Sequence, residues 1–256
     1  MDPKRSLGQN FFTNKTLAEK IASIVTASNP ELIIEIGPGT GAFTSLLETR
    51  CKKLVCIEKD DAIAKNLQIF FKGVQIVHTD VLDCDINKIV EDSKVPIEKV
   101  VMFGSLPYNI SKPIIDKVLS TTKIQQQFYI IQKEVAQKYC AKAPDYNYLA
   151  VATQILATPK ILLEIHPDSF RPRPKVTSSL IKFDLKSVEP IFQTLKEYKE
   201  FKDFVHLCFT KPNKTIKNNL GKDICNKISA EKAAFLERRP FALTKEELVD
   251  LFRSYR

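Results

Sequence analysis

The run Leu32-Ile33-Ile34-Glu35-Ile36 leads straight into Gly37-Pro38-Gly39-Thr40-Gly41-Ala42, after which Phe43, Leu46 and Leu47 recur at helical spacing. A short apolar run, a glycine turn and a helix, in that order, form the first turn of a nucleotide-binding βαβ unit. The glycines let the backbone bend sharply and approach a ligand. Leu54-Val55-Cys56-Ile57 predicts the second strand. Glu58 follows it, about where an acid meets ribose hydroxyls in such folds.

The same alternation continues along the chain. Asn14 is placed to cap a helix with Leu17, Ile21, Ile24 and Val25 on one face. A helix is expected over 60–71, a strand over 74–78 with Asp80 beyond it, and a weaker segment over 86–90. The apolar run Val100-Val101-Met102-Phe103 delivers Ser105-Leu106-Pro107-Tyr108 to the end of a buried strand. Ser111 is positioned to cap the following helix, through Ile114, Ile115 and Val118. A strand over 127–132 and helices over 134–139 and 148–157 precede two strands, 160–165 and 178–185, expected as an antiparallel edge hairpin. Between those two lies a rigid basic loop, Phe170-Arg171-Pro172-Arg173-Pro174-Lys175.

This pattern predicts an α/β fold, a mostly parallel sheet with helices on both faces. Beyond Ser187 the strand signals stop. Helices expected over 198–209, 230–237 and 244–255, broken by Pro212, Gly221 and Pro240, make a small C-terminal all-α domain. The expected domains are therefore 1–187 and 188–256.

Composition narrows the function classes. Six cysteines fall in no Cys-x-x-Cys pair and three histidines lie far apart, so neither a metal site nor a disulfide framework is expected. No apolar run reaches the eighteen or so residues of a membrane span. The first residues lack the apolar core of a signal peptide, and a cytoplasmic location is expected. A net charge of +9 suits a polyanionic partner. The charge is locally uneven: Lys211, Lys214, Lys217 and Lys222 fall in a window, 204–222, that holds no acid.

Gly37, Gly39 and Ala42 also satisfy the dinucleotide fingerprint G-x-G-x-x-A, so an NAD-dependent enzyme is one reading. Glu35 before the loop and Asp80 after the third strand favour another. An acid for the ribose and an acid for an adenine amine suit S-adenosylmethionine, whose sulfonium needs no anion-binding loop.

Gly8-Gln9-Asn10-Phe11, Glu35-Ile36-Gly37-Pro38-Gly39-Thr40-Gly41, Ile57-Glu58, Asp80, Leu106-Pro107-Tyr108-Asn109-Ile110-Ser111, Phe170-x-Pro172-x-Pro174-Lys175-Val176 and Thr210-Lys211-Pro212-Asn213-Lys214-Thr215 stand in the chain in that order. Together they resemble the ribosomal RNA adenine dimethyltransferases across nearly the whole length. The resemblance implies a Rossmann-like methyltransferase fold that uses S-adenosylmethionine to make dimethyladenosine in small-subunit rRNA of a pre-30S particle. A monomer is the default expectation, since nothing in the sequence signals an oligomer. The resemblance also implies that Gln9 and Asn10 close over the cofactor, that Gly37 and Gly39 admit its methionine part, and that Glu58 holds the ribose and Asp80 the adenine. Phe12, Glu35, Lys59, Val81 and Ser105 join them as candidates for the cofactor pocket. Ser105 and the Pro107 carbonyl would receive the target amine, with Leu106 between them, and Tyr108 and Phe170 would sandwich the flipped base. Arg171, Arg173, Lys175, Lys211, Lys214 and Lys217 are the RNA-binding candidates. One position departs from the family: Ser105 stands where asparagine is usual. An assembly factor with weak transfer, and a large-subunit rRNA methylase, are the alternatives this leaves.

Overall fold

The computed structural model describes residues 9–186, 192 and 194–256. Gly8 of the first motif and the expected boundary at 187/188 lie outside the described residues. The first part of the chain runs β1 (Phe11–Phe12), α1 (Lys15–Val25), β2 (Leu32–Ile36), α2 (Thr44–Leu47), β3 (Lys53–Glu58), α3 (Asp61–Phe70), β4 (Gln75–His78), α4 (Ile86–Ser93), β5 (Val100–Ser105), α5 (Ser111–Thr121) and β6 (Gln126–Gln132). It continues through α6 (Lys133–Cys140), α7 (Tyr148–Gln154), β7 (Ala157–Ile165), β8 (Phe170–Arg171) and β9 (Ser178–Leu185). Four helices follow: α8 (Leu195–Cys208), α9 (Ile216–Cys225), α10 (Ala233–Leu236) and α11 (Lys245–Tyr255).

Seven strands form one sheet in the order β4-β3-β2-β5-β6-β9-β7, and β1 pairs with β8 apart from it. β2 is parallel to β3 and β5, β3 to β4, and β5 to β6, while β9 runs antiparallel to β6. β7 and β9 are neighbours as expected, with β7 at the edge and β9 inside it. The central strands are buried on both faces, which is why they read as unbroken apolar runs. Ile33, Ile34, Met102 and Phe103 are wholly covered, each side chain contributing on the order of 1.5–3 kcal/mol of transfer free energy. On one face Ile33, Val101 and Phe103 meet Ile21 and Ala22 of α1 and Phe43 and Leu47 beside the glycine loop.

Local chemistry sets the helix ends. Asn14 accepts from the Leu17 amide at 3.1 Å and starts α1 as expected. Ser111 does not cap α5: Ile110 holds the cap position, and the Ser111 hydroxyl donates to the Tyr108 carbonyl at 3.4 Å. α7 ends at Gln154 rather than 157, because Ala157 already opens β7. α9 lies where the sequence predicts a break, and its backbone leaves helical geometry there, at Gly221 (φ 77°).

The described residues fall into two compact units. One takes the chain up to Ala136 and again from Thr158 through β9; the other takes Gln137–Ala157 and the C-terminal helices. Residues 137–157, placed by sequence in the first domain, therefore group with the second. Ala150, Val151 and Ile155 share a buried cluster with Phe201, Phe204, Leu248 and Phe252. α11 is closed by a capping box in which Thr244 accepts from the Glu247 amide and Glu247 from the Thr244 amide.

Candidate active site

From β2 the chain steps outward through β3 and β4, then resumes at β5 on the other side of β2. Open α/β sheets bind ligands at the carboxyl ends of the strands where the order reverses in this way. A cleft lies there. Gly37 and Gly39 follow β2, Glu58 and Lys59 end β3, Asp80 and Val81 lie beyond β4, and Ser105 to Tyr108 end β5. Gln9, Asn10 and Phe170 also line it, so most of the pocket candidates converge.

Gly39 holds φ +56°, a conformation strained for any side chain, and a Cβ there would stand 3.0 Å from the Phe11 ring, which would have to give way. Its amide donates to the Glu58 carboxylate, as does the Asp60 amide at 2.8 Å. Burial raises the Glu58 pKa, and these amides pull against the rise. Asp80 is the opposite case: the Lys59 ammonium, 2.7 Å from Oδ2, holds its carboxyl below the ordinary value. Its Oδ1 accepts from the Leu82 amide at 2.9 Å. The turn beyond Asp80 is braced by α5, whose Lys117 ammonium donates to the Leu82 carbonyl at 2.6 Å and the Cys84 carbonyl at 2.8 Å.

At the end of β5 the Leu106 amide still bonds to Ile130 of β6, at 3.1 Å, and this fixes where the strand stops. Among the described residues the Ser105 hydroxyl meets no hydrogen-bonding partner. The Pro107 carbonyl accepts from the Ile110 amide at 3.2 Å, which leaves it one lone pair. Tyr108 is anchored through its hydroxyl, 2.6 Å from Ser178 Oγ, and burial raises its pKa. Phe170 lines the cleft yet is only 1% exposed, packed edge-on against Phe12 with centroids 5.1 Å apart.

Two pocket candidates lie behind the cleft rather than in it. Phe12 is buried between Phe43 and Phe170, and Phe11 faces the cleft in its place. Glu35 is wholly buried on the side of β2 that faces α2, accepting from Thr44 Oγ1 at 2.8 Å and Cys56 Sγ at 3.5 Å. Burial pushes its carboxyl up to about 7. It ties β2 to α2 and β3. Ile57, Thr79, Ile110 and Ile114 also line the cleft; Ile57 and Ile110 stand inside quoted motifs with no role assigned to them, Thr79 and Ile114 outside them.

The basic candidates differ in how free they are. Arg171 donates to the Phe170 carbonyl at 2.8 Å, and Arg173 pairs with Asp168 at 3.1 Å. Lys217 pairs with Glu237 at 2.8 Å. Lys175, Lys211 and Lys214 are exposed, with no ion pair among the described residues.

The donor set fits S-adenosylmethionine. Two carboxylates converge on one cleft, and its one lining cation among the described residues, Lys59, is already paired. No group of three or more His, Cys, Asp or Glu among the described residues could hold a metal ion. No helix among them is long and apolar enough to cross a membrane.

The family described as Ribosomal RNA adenine dimethylase matches residues 2–250. A Ribosomal RNA small subunit methyltransferase A from Pelagibacter ubique is 34% identical over 266 residues, covering 98% of this chain and 96% of the relative. The crystal structure of a dimethyladenosine transferase from Plasmodium falciparum superposes with a TM-score of 0.76 at 20% identity, over 94% of this chain and 95% of that one. That of the 23S rRNA methyltransferase ErmE gives 0.71 at 22% identity, over 96% and 99%. The last two establish the fold, a Rossmann-like methyltransferase sheet with C-terminal helices.

Proposed function

The chain belongs to the ribosomal RNA adenine dimethylase family, and on that premise we propose that it methylates the N6 amines of two adjacent adenosines near the 3′ end of small-subunit rRNA. The methyl donor is S-adenosylmethionine, the product is N6,N6-dimethyladenosine, and the setting is a cytoplasmic pre-30S particle met by a monomer. The observation that carries this reading is the convergence of Glu58, Asp80 and the Ser105–Tyr108 stretch at the reversal of strand order.

Glu58 is the acceptor for the ribose hydroxyls and Asp80 for the adenine amine. Gly37 and Gly39 give the methionine portion close backbone contact, and Gln9 and Asn10 close over it. Bound in this way, S-adenosylmethionine supplies a methyl group activated by its sulfonium. The chain's remaining task is alignment. An adenine amine is a weak nucleophile because its lone pair is delocalised into the ring. Ser105 Oγ and the Pro107 carbonyl hold its hydrogens and favour a more tetrahedral nitrogen with its lone pair aimed at the methyl carbon. With the reacting atoms about 3–3.5 Å apart, such positioning supplies most of the acceleration. The proton lost from nitrogen is acidic once the new bond forms and passes to water, so no strong base is required.

The target base must leave its stack to enter the cleft, and Tyr108 and Phe170 are the rings that receive it. Tyr108 is held ready by Ser178. Phe170 is covered, so base entry includes a local opening over its ring. Arg171, Arg173 and Lys175 on one unit, and Lys211, Lys214 and Lys217 on the helical unit, are the phosphate contacts.

Incubation with labelled S-adenosylmethionine and small subunits lacking the modification should place label in dimethyladenosine near the RNA 3′ end. No transfer to these particles, or label confined to large-subunit RNA, overturns the proposal.

A further inference from the structure

The Lys59–Asp80 pair has a consequence that neither residue has alone. Both oxygens of Asp80 are engaged: Oδ1 by the Leu82 amide at 2.9 Å and Oδ2 by the Lys59 ammonium at 2.7 Å. Both side chains line the cleft, and Lys59 remains more than half exposed. A purine amine that docks on Asp80 therefore takes the second lone pair of an oxygen that already carries a donor. Two donors on one oxygen weaken each other. The ammonium also brings a donor of its own to the edge of the purine, next to the acceptor.

We propose that Lys59 sets the purine selectivity of the cleft, competing with an adenine amine for Asp80 and tolerating a 6-oxo purine in its place. The chemistry is a matter of matching hydrogen-bonding edges. Adenine presents an amine donor at C6 and an acceptor at N1. Hypoxanthine presents a carbonyl acceptor at C6 and a donor at N1–H, so Lys59 and Asp80 together complement it. Without the ammonium, Asp80 alone faces position 6 and rejects a carbonyl there, acceptor against acceptor. Rejection of this kind, where a buried or half-buried polar group is left unpaired, is stronger than loss of a simple contact. This inference rests on Asp80 as the adenine acceptor in the proposed function.

The test is calorimetry with two neutral ligands, S-adenosylhomocysteine and its 6-oxo analogue S-inosylhomocysteine, on the parent, Lys59→Met and Lys59→Arg proteins. Neutral ligands keep the change in local charge from acting on a sulfonium. Lys59→Met should bind S-adenosylhomocysteine about two- to five-fold more tightly, the range expected on releasing one exposed ion pair. Its preference for the adenine over the 6-oxo ligand should widen by about ten-fold. Lys59→Arg keeps the cation and should keep the parent's preference. Unchanged or weaker adenine binding by Lys59→Met, or an unmoved preference, overturns the role of Lys59. Binding of neither ligand by the parent protein overturns the cofactor reading itself, and the proposal with it.

Discussion

Ser105 carries the tightest argument at the scale of one residue. An asparagine carbonyl there is an acceptor only, whereas a hydroxyl both donates and accepts and must place its own proton before it can receive the amine. In this fold nothing among the described residues takes that proton. The neighbouring Pro107 carbonyl already accepts from Ile110 and offers one lone pair. The amine is thus held by one half-committed carbonyl and one freely rotating hydroxyl. Replacing Ser105 with Asn should raise turnover about two- to ten-fold, the value of one well-placed hydrogen bond, with cofactor affinity unchanged. Single-turnover methylation with saturating cofactor reads this directly, and a Ser105→Asn protein no faster than the parent refutes it. The departure at Ser105 was legible in the sequence. Its unpartnered hydroxyl was not, because hydrogen-bonding partners of a strand-end residue come from elements remote in the chain.

At the scale of elements, α5 does more than follow the Ser105 stretch. It carries Lys117 back to the turn after β4, where two carbonyls converge on one ammonium. Without that cation Leu82 and Cys84 would turn unpaired carbonyls toward each other, and the turn that presents Asp80 and Val81 would loosen. Lys117→Met keeps the length of the stem and removes the charge. It should weaken S-adenosylhomocysteine binding about ten-fold, the cost of losing charged hydrogen bonds, while RNA affinity stays within experimental error. Lys117→Arg should recover most of the loss; equal weakening of both ligands would mark Lys117 as a general fold residue instead. Sequence reading had the order of elements because buried parallel strands and glycine turns write clear patterns. It missed which way short elements face. β1 is two residues long, too short for alternation to tell Phe11 from Phe12. Glu35 was within reach, since period two puts it on the face of Ile33 rather than at the strand end. The grouping of α7 with the C-terminal helices was beyond reach, because an apolar helical face does not name its partner.

For the molecule as a whole, the charge of +9 becomes informative only once the internal pairs are removed from it. A lysine already paired with a carboxylate releases less counterion when it meets a phosphate than one facing solvent, because its field is partly cancelled beforehand. Sequence put Lys211, Lys214 and Lys217 in one acid-free window and treated them alike. The fold separates them, because Glu237, twenty residues on, reaches Lys217 at 2.8 Å and raises its pKa. Lys211 and Lys214 keep no such partner among the described residues. Binding of small-subunit RNA measured from about 50 to 200 mM salt should therefore separate the three, with the slope of log K against log salt falling by roughly 0.7–0.9 for Lys214→Ala and for Lys211→Ala. Lys217→Ala should change it by less than half as much. Three equal changes would mean that the Lys217–Glu237 pair opens on binding and that all three lysines reach phosphates. No change from any of them would leave RNA recognition to the basic loop of Arg171, Arg173 and Lys175.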